Sequence, residues 1–365
     1  MRKRLISAFL SLFLITPFVY ISLNTEKAEE KSLNKYSYMF FGTFDTAITL
    51  IGFAENQEAF DEAAELTEEL FNEYHRQFNQ YYPYEGLNNV YYLNRNAAKS
   101  PVTVPRELFS LLLWCKQVQP LTRGRVNIAM GSVLSLWHEE RENAETDPDS
   151  AKLPDMAALR EAVKHANMDD VILDESKQTV FYQDEKLSLD LGAVAKGYAA
   201  ELVAQVLLKG SMPHFIINAG GNVRAGHPPL DGRSDWGVAV QDPFAEFTLS
   251  ADTGVLDVFY VHDQSVVTSG DYQRFYTVDG KRYHHLISPD TLMPSENMRS
   301  VTIITRDSGF ADLLSTVVFL MPFEEGLEYV LSLDGVEAMW VLNDRSVYMT
   351  PGAKNVALSS GALPQ

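Results

Sequence analysis

The sequence predicts an α+β fold, with mixed or antiparallel sheets and helices packed against them. Short alternating segments of strand length dominate the second half of the chain, and their spacing is typical of hairpins. The helical patterns do not alternate regularly with these segments, which argues against a doubly wound parallel sheet. The 365 residues, 46% of them hydrophobic, suffice for a large core in one or two domains.

The chain opens with a membrane-targeting segment, residues 1–23. Three basic residues in Met1–Arg4 precede an apolar run to about Leu23, and a polar tether, residues 24–36, follows. This order predicts an N-terminus in the cytoplasm and an extracytoplasmic body, secreted or held at the outer face of the cell membrane. Pro17 interrupts the run and no clear cleavage site follows, so a signal peptide and an uncleaved anchor both stay open.

Local patterns predict the elements that follow. Alternating apolar and polar residues over 38–53 predict a strand. Helical spacing of the apolar residues over 57–79 predicts an acidic amphipathic helix. A second helix is predicted over 105–117, with a proline in its first turn. Residues 141–155 are polar and contain two prolines, which predicts a loop or subdomain junction. Further helices are predicted at 197–209, 309–321 and 324–332, and further strands at 170–174, 179–183, 187–190, 214–218, 236–241, 257–261 and 299–305.

Composition limits the partners and the means of stabilisation. The net charge of −19 and the isoelectric point near 4.8 argue against a nucleic-acid partner, because a phosphate backbone would be repelled. The single cysteine, Cys115, lies in an apolar segment and is predicted to be a small buried hydrophobe. An exported protein with one cysteine forms no internal disulfide and depends on its core.

The segment Asp190–Gly197 carries the first chemical signal. It is a tight turn with two glycines between a predicted strand and a predicted helix. Such a turn places backbone N–H groups beside a helix N-terminus, where phosphate oxygens are favoured. Asp190 and Lys196 add one charge of each sign, although a glycine-rich turn taken alone is more often structural.

Two further segments place polar side chains beside strands. Asn218 and Asn222 flank a double glycine, and ligand binding and ordinary turn chemistry explain them equally well. His284 and His285 are adjacent, and neighbours on a strand point to opposite faces, so at most one of them faces a site. Such a histidine is more often a general base or a structural donor than a metal ligand.

The predicted helix 309–321 carries a third set of polar residues. Asp312 and Thr316 are four residues apart and share one face, with Ser315 beside them. A carboxylate with hydroxyls suits a hard cation that takes oxygen ligands, Mg²⁺ in particular. For this helix in isolation the alternative is favoured, in which Asp312 is solvated or capping and Thr316 fills a gap in the core.

The order and spacing of these segments resemble the ApbE family of flavin transferases. The resemblance extends from about Tyr38 to about Leu333. It rests on seven blocks: Phe41–Thr43, Val126–Trp137, Asp190–Gly197, Asn218–Asn222, Thr268–Tyr272, His285–Pro294 and Ala311–Met321. It implies a T-fold-like architecture for residues 37–350, with residues 351–365 left as a C-terminal tail.

The resemblance implies an exported, Mg²⁺-dependent enzyme. Members of the family cleave the pyrophosphate of FAD and attach FMN through a phosphoester to a threonine, or sometimes a serine, of a target protein, releasing AMP. Some members also, or instead, hydrolyse FAD to FMN and AMP. The implied partners are FAD, an acceptor protein with a threonine-containing motif, and the membrane through the N-terminal segment. The chain itself contains no obvious acceptor motif.

The resemblance also assigns roles to residues. His285 is similar to the family's proposed base. Mg²⁺ would be bound by the side chains of Asp312 and Thr316, with Ser315 near and the backbone carbonyl of Ala193 completing the set. The residues implied to contact FAD are Phe41, Tyr81, Asn127, Ile128, Ala129, Asp190, Lys196, Asn222 and Leu286.

Four positions depart from the family pattern. Ser288 and Leu292 replace an aspartate and a glycine in the histidine segment, and Phe41 replaces a methionine; we interpret these as tuning of the loops. Ser315 stands where some members carry aspartate, a replacement that could weaken metal binding. Two other functions stay open. One is an FAD hydrolase that uses water in the same site. The other is a non-catalytic extracytoplasmic flavin-binding protein, which would lack the metal-binding face of the helix predicted at 309–321.

Overall fold

The computed structural model of the protein describes residues 33–245 and 254–363. Their strands, numbered along the chain, are β1 (Asn34–Thr43), β2 (Thr46–Ala54), β3 (Val102–Thr103), β4 (Val171–Asp174), β5 (Thr179–Tyr182), β6 (Phe215–Ala219), β7 (Asn222–Ala225), β8 (Trp236–Gln241), β9 (Val255–Val261), β10 (Ser265–Gly270), β11 (Phe275–Val278), β12 (Lys281–His284), β13 (Ser300–Thr305), β14 (Glu337–Val341) and β15 (Val347–Met349). Their α-helices are α1 (Gln57–Phe78), α2 (Val90–Asn96), α3 (Arg106–Val118), α4 (Gly131–Thr146), α5 (Met156–Ala162), α6 (Ala195–Lys209), α7 (Ser308–Phe319), α8 (Phe323–Leu331) and α9 (Pro351–Val356).

An eight-stranded antiparallel sheet is the framework of the fold. Its strand order is β1-β2-β6-β7-β10-β13-β14-β15. Helices α1, α6 and α7 pack on one face and bury the largest apolar core. The β8–β9 hairpin and α9 pack on the other face over a smaller apolar cluster. Since side chains alternate between the faces of a strand, both layers draw on the same strands. The predicted α+β class is confirmed.

Helix α7 lies at the centre of the core. Eleven of its twelve residues are buried, and Asp307 caps its start by accepting a hydrogen bond from the Phe310 N–H at 2.7 Å. A helix that is apolar on all sides is expected inside a protein. Asp312, Ser315 and Thr316 are polar exceptions on it, and buried polar groups require partners or a ligand.

A third apolar cluster joins α4, the β11–β12 hairpin and the loop that contains Leu292. Leu292 has a left-handed backbone, with φ at 60°, at the position where the family pattern has glycine. Its side chain is buried in the cluster, and its carbonyl accepts a hydrogen bond from Trp137 Nε1 at 3.0 Å. These contacts offset the backbone strain that a non-glycine residue meets in this conformation.

The predicted single strand over 38–53 is wrong, because two strands form a hairpin there. The β1–β2 turn consists of Phe44 and Asp45, whose φ values are 51° and 52°, as a two-residue turn that follows the sheet twist requires. Neither residue is the glycine or asparagine that usually marks such a turn, and the alternating pattern continues through it. β1 begins at Asn34, so it includes the last three residues of the predicted tether.

Three other expectations are also corrected. Residues 141–146 of the predicted junction are the end of α4, where exposed polar side chains mimic a loop. Residues 187–190 form an isolated bridge rather than a strand. The predicted tail, 351–365, begins with α9, whose Ala353 is fully buried. Six residues are too few to show helical periodicity in a sequence.

The targeting segment, residues 1–23, and most of the tether lie outside the described residues. In the part of the chain that the structure describes, no helix is long and apolar enough to cross a membrane. Export and membrane attachment therefore stay predictions. Cys115 is buried in α3, as predicted.

Helix α9 provides a test of the C-terminal packing. Glu337 on β14 accepts hydrogen bonds from the backbone N–H groups of Gly352 at 3.0 Å and Ala353 at 3.3 Å, in the first turn of α9. Glu337→Ala removes this cap and is expected to lower the free energy of unfolding by about 1–2 kcal/mol. Chemical denaturation measures the change, with the exposed Glu328→Ala as control. Equal stability of the two variants would contradict this role.

Candidate active site

A cavity of about 450 Å³ lies between helices α4, α6 and α7, the β1–β2 turn and the β11–β12 hairpin. Its volume is within the range of small-molecule sites. Most of the predicted site residues line it together: Tyr81, Asn127, Ile128, Asp190, Ala193, Lys196, His285, Leu286, Asp312 and Thr316. Residues that are far apart in the sequence thus meet at one place.

The floor of this cavity is the contact between α6 and α7. A Cβ atom on Gly197 would lie 2.4 Å from Asp312 Cβ and 2.4 Å from the carbonyl oxygen of Ser308, so this approach requires glycine. The approach allows the Gly197 backbone N–H to donate a hydrogen bond to Asp312 Oδ2 at 2.8 Å. An N–H group in the first turn of α6 therefore holds the carboxylate, as the helix dipole favours.

Asp312 and Lys196 bring opposite charges to this floor. Burial raises the pKa of the Asp312 carboxyl to about 6, and the positive charge of Lys196 opposes that effect. Burial also lowers the pKa of Lys196, whose Nζ donates a hydrogen bond to the Gly220 carbonyl at 3.1 Å. Each charge is stabilised by the other; a cation bound at Asp312 and an anion bound at Lys196 would each meet a side chain of opposite charge.

The donor atoms of the floor fit a hard cation. Asp312 Oδ1 has no hydrogen-bond partner among the described residues, and Thr316 and Ala193 line the same cavity. Carboxylate, hydroxyl and carbonyl oxygens are ligands that Mg²⁺ accepts, with phosphate and water in the remaining positions. Across 33–245 and 254–363, no three His, Cys, Asp or Glu side chains gather as a metal site. This sparse oxygen set suits a cation that shares its coordination shell with a substrate.

Four predicted residues lie outside the cavity wall: Phe41, Ala129, Asn222 and Ser315. Ser315 Oγ donates a hydrogen bond to the Asp312 carbonyl at 2.9 Å, and Asn222 Oδ1 accepts one from Ser308 Oγ at 2.8 Å. Both therefore support α7 from behind the floor. Ala129 is buried in the core, and Phe41 is 70% exposed on β1.

Asp190 and Asn127 shape the wall through their own hydrogen bonds. Asp190 accepts from the Gly192 backbone N–H at 2.8 Å and from the Gln80 side-chain amide at 2.5 Å. Asn127 Oδ1 accepts from the Ala129 N–H at 2.9 Å, and its Nδ2 donates to a backbone carbonyl at 2.6 Å. These bonds fix two of the loops that enclose the cavity.

His285 enters the cavity directly after β12. Its backbone N–H and its Nδ1 both lie within hydrogen-bond distance of the Arg274 carbonyl, at 3.1 Å and 3.3 Å. A carbonyl only accepts, so Nδ1 carries the proton and Nε2 keeps its lone pair. Burial, and then the charge of Arg274, lower the pKa of His285 to about 3, so the ring is neutral at pH 7. A neutral imidazole of this tautomer can accept a proton at Nε2.

The neighbouring His284 has a structural role. Its Nε2 donates a hydrogen bond to the Ser295 carbonyl at 2.7 Å, and its Nδ1 accepts one from the Leu286 N–H at 3.2 Å. Both ring nitrogens are therefore occupied by the backbone. Of the two adjacent histidines, His285 has the ring nitrogen that is available to a substrate.

Several residues of the wall were absent from the sequence-based prediction. The basic ones include Arg125, Arg141 and Arg274, and the aromatic ones include Trp137, His138 and Tyr276. Helix α4 supplies three of these six, and its helical spacing would have been the signal to look for. These basic residues gather in the cavity although the whole chain has a net charge of −19. The net charge of the chain therefore does not show that positive side chains line this site.

The comparison with known proteins decides the family. The sequence model of the ApbE family matches residues 44–340. The chain belongs to the ApbE family. A relative named FAD:protein FMN transferase from Klebsiella pneumoniae (strain 342) is 31% identical over 259 residues, which cover 71% of this chain and 76% of the relative. A relative of the same name from Treponema pallidum (strain Nichols) is 33% identical over 273 residues, which cover 71% of this chain and 72% of the relative.

Solved structures of the ApbE family share the fold. The ApbE protein of Thermotoga maritima superposes with a TM-score of 0.76 at 27% identity, covering 88% of this chain and 99% of that one. The flavin transferase ApbE from Vibrio cholerae superposes with a TM-score of 0.71 at 20% identity, covering 88% of this chain and 100% of that one. At this identity the likeness is one of fold. Strand β1 precedes the residues that the family sequence model matches.

The α6–α7 contact predicts the effect of one added methyl group. Gly197→Ala places a Cβ against Asp312 and the Ser308 carbonyl, so α7 must move away from α6. We expect the free energy of unfolding to fall by about 1–3 kcal/mol. Thermal or chemical denaturation measures it, with Val206→Ala on the half-exposed side of α6 as control. A Gly197→Ala protein as stable as the wild type would show that the contact is not tight.

The lowered pKa of His285 predicts a pH dependence of stability. The folded-state pKa lies below the usual 6.5, so the unfolded chain binds this proton first as the pH falls. The stability that the neutral ring contributes is present above about pH 6.5 and is lost toward pH 3. Between pH 7 and pH 5 the free energy of unfolding should fall in both proteins, and the fall should be smaller in His285→Gln than in the wild type by about 1–2 kcal/mol. Denaturation curves at both pH values measure it, and identical losses in the two proteins would contradict the prediction.

Proposed function

We propose that this chain is an FAD:protein FMN transferase that acts outside the cytoplasm. The observation that supports it most is the meeting, in one cavity, of the oxygen donors Asp312 and Thr316, the cation Lys196 and the neutral base His285. The relatives from Klebsiella pneumoniae and Treponema pallidum carry that name. The leader, residues 1–23, supports the location through its charge order.

The proposed reaction moves FMN from FAD to a threonine or serine hydroxyl of a target protein. The hydroxyl oxygen attacks the phosphorus on the FMN side of the pyrophosphate, the bond to the AMP oxygen breaks, and AMP leaves. The attacking and leaving oxygens must lie in line, and the charge of the pyrophosphate must be balanced. Lys196 on the floor, with Arg141 and Arg274 on the walls, supplies positive charge for this purpose.

A metal ion fits the same floor. Asp312 and Thr316 side chains and the Ala193 carbonyl would hold Mg²⁺, which supplies Lewis-acid stabilisation of phosphoryl oxygens when bound. Gly197 orients the Asp312 carboxylate through its N–H, so the second carboxylate oxygen is left for the ion. Ser315 is buried behind the cavity wall, where its Oγ lies 2.8 Å from Ser269 Oγ on β10, so it ties α7 to the sheet and does not itself line the cavity.

His285 would take the proton of the attacking hydroxyl. Its Nε2 has the lone pair, and the Nδ1–H bond to the Arg274 carbonyl fixes the plane of the ring. The same carbonyl stabilises the imidazolium after it has accepted the proton. Because burial and Arg274 lower its pKa, the protonated ring returns the proton to water readily.

The test is an incubation of the full-length chain with FAD, Mg²⁺ and an acceptor domain with an exposed threonine motif. AMP is measured by chromatography and the acceptor by mass spectrometry. We expect AMP release together with an acceptor that gains one FMN. Asp312→Ala should lower the rate by about 100-fold or more, because it removes the carboxylate of the metal site. Asp344→Ala, an exposed aspartate outside the cavity, should behave as the wild type.

Other outcomes would support the other functions. AMP release with FMN in solution and an unmodified acceptor would support FAD hydrolysis, with water in place of the hydroxyl. FAD binding without AMP release, unchanged in Asp312→Ala, would support a flavin-binding protein. The second result would contradict an enzyme, whereas the first would point either to a hydrolase or to an acceptor that is not the target of this chain.

A further inference from the structure

Two aromatic side chains, Tyr81 and His138, stack on each other in the cavity wall. The rings of Tyr81 and His138 have centroids 4.2 Å apart and planes inclined by 31°. Both residues line the cavity, and Tyr81 is 41% exposed. His138 therefore covers one face of the tyrosine ring, and the partly exposed Tyr81 side chain lines the cavity beside it.

The His138 ring is held by two neighbours on α4. Arg141 Nη2 donates a hydrogen bond to His138 Nδ1 at 2.7 Å, and His138 Nε2 lies 3.1 Å from Glu142 Oε1. These partners are three and four residues further along the helix, so they share its face. Burial lowers the pKa of His138, which favours a neutral aromatic ring. The position and tilt of the ring are therefore set before any ligand binds.

The loop that carries Tyr81 is fixed at its backbone. Asn79 Oδ1 accepts hydrogen bonds from the N–H groups of Tyr81 at 2.8 Å and Tyr82 at 2.7 Å. These bonds leave the two side-chain torsions of Tyr81 to be set by its contacts. A side-chain hydrogen bond with Gln80 holds the phenol end of Tyr81, and the stack with His138 restricts the ring over its face.

Tyr81 is one of the residues that the family resemblance implies as a contact of FAD, and we propose that His138 is a positioning residue that orders this tyrosine for stacking on a planar ring of the substrate. The ligand chemistry, the isoalloxazine or adenine ring of FAD, rests on the proposed function. A ring that is ordered before binding loses less conformational entropy when the ligand arrives, and the ligand binds more tightly. Planar rings stack on tyrosine faces with offset or tilted geometry, as these two side chains already do. His138 acts through Tyr81, and its effect falls on binding more than on the phosphoryl-transfer step.

The first experiment measures FAD binding to the full-length chain through quenching of flavin fluorescence, with EDTA present to prevent turnover. His138→Ala should weaken binding by about three- to tenfold, the range of an aromatic pair. His138→Phe keeps the stack and should restore most of the affinity. Tyr82→Ala is the control, since Tyr82 is exposed, adjacent to Tyr81 and outside the cavity wall. With Mg²⁺ and acceptor, His138→Ala should raise KM for FAD and leave kcat nearly unchanged.

A double-mutant cycle separates positioning from direct contact. If His138 acts through Tyr81, then His138→Ala has no further effect on binding once Tyr81→Ala is present. Additive losses would show that His138 touches the substrate itself and would overturn the proposal. Unchanged FAD binding in His138→Ala, in a protein whose wild type binds FAD, would overturn it as well. A wild type that binds no FAD would instead overturn the proposed function, and the inference with it.

The two possible rings are distinguished with FMN and ADP as separate probes. A loss of affinity in His138→Ala confined to FMN would place the isoalloxazine on Tyr81, and a loss confined to ADP would place the adenine there. Either result supports a stacking platform. Equal affinity of the variant and the wild type for both probes and for FAD would contradict it.

Discussion

The close contact of α6 and α7 at Gly197 is the constraint on which the candidate site depends. Without a side chain at Gly197, the first turn of α6 reaches the middle of α7, and its N–H donates to Asp312 at 2.8 Å. Lys196 is the preceding residue, so the same turn brings a cation to the same carboxylate. The large core under the sheet fixes both helices, and the chemistry of the floor follows from their packing.

A buried polar network behind the floor holds this contact in register. Arg224 Nε on β7 donates to Glu201 Oε2 on α6 at 2.9 Å, and the same oxygen accepts from the Ser308 N–H at the start of α7 at 3.0 Å. Ser308 Oγ in turn donates to Asn222 at 2.8 Å. Sheet and both helices are thus tied at one point. Asn222, which the family resemblance implies as a contact of FAD, has its oxygen committed to this network.

The sequence predicts the class of fold and several of the longer helices, including α1, α6 and α7. It predicts less where local pattern and tertiary packing differ. The two positions of the turn at Phe44 and Asp45 hold neither glycine nor asparagine, and α9 is too short to show a helical period. The gathering of Asp312, Lys196 and His285 could be expected only through the family resemblance, because contacts between distant segments leave no local signal. His138 and Arg141 were missed with the helix that carries them.

The most direct test of this account is a crystal structure with FAD and Mn²⁺, located by its anomalous scattering. We expect one metal peak within coordination distance of the Asp312 and Thr316 side chains, with the pyrophosphate between the metal and Lys196. The proton-accepting Nε2 of His285 should lie on the FMN side of the pyrophosphate, where the attacking hydroxyl must approach the phosphorus. A metal bound away from Asp312, or FAD bound outside this cavity, would contradict the central claim that the α6–α7 contact builds the active site.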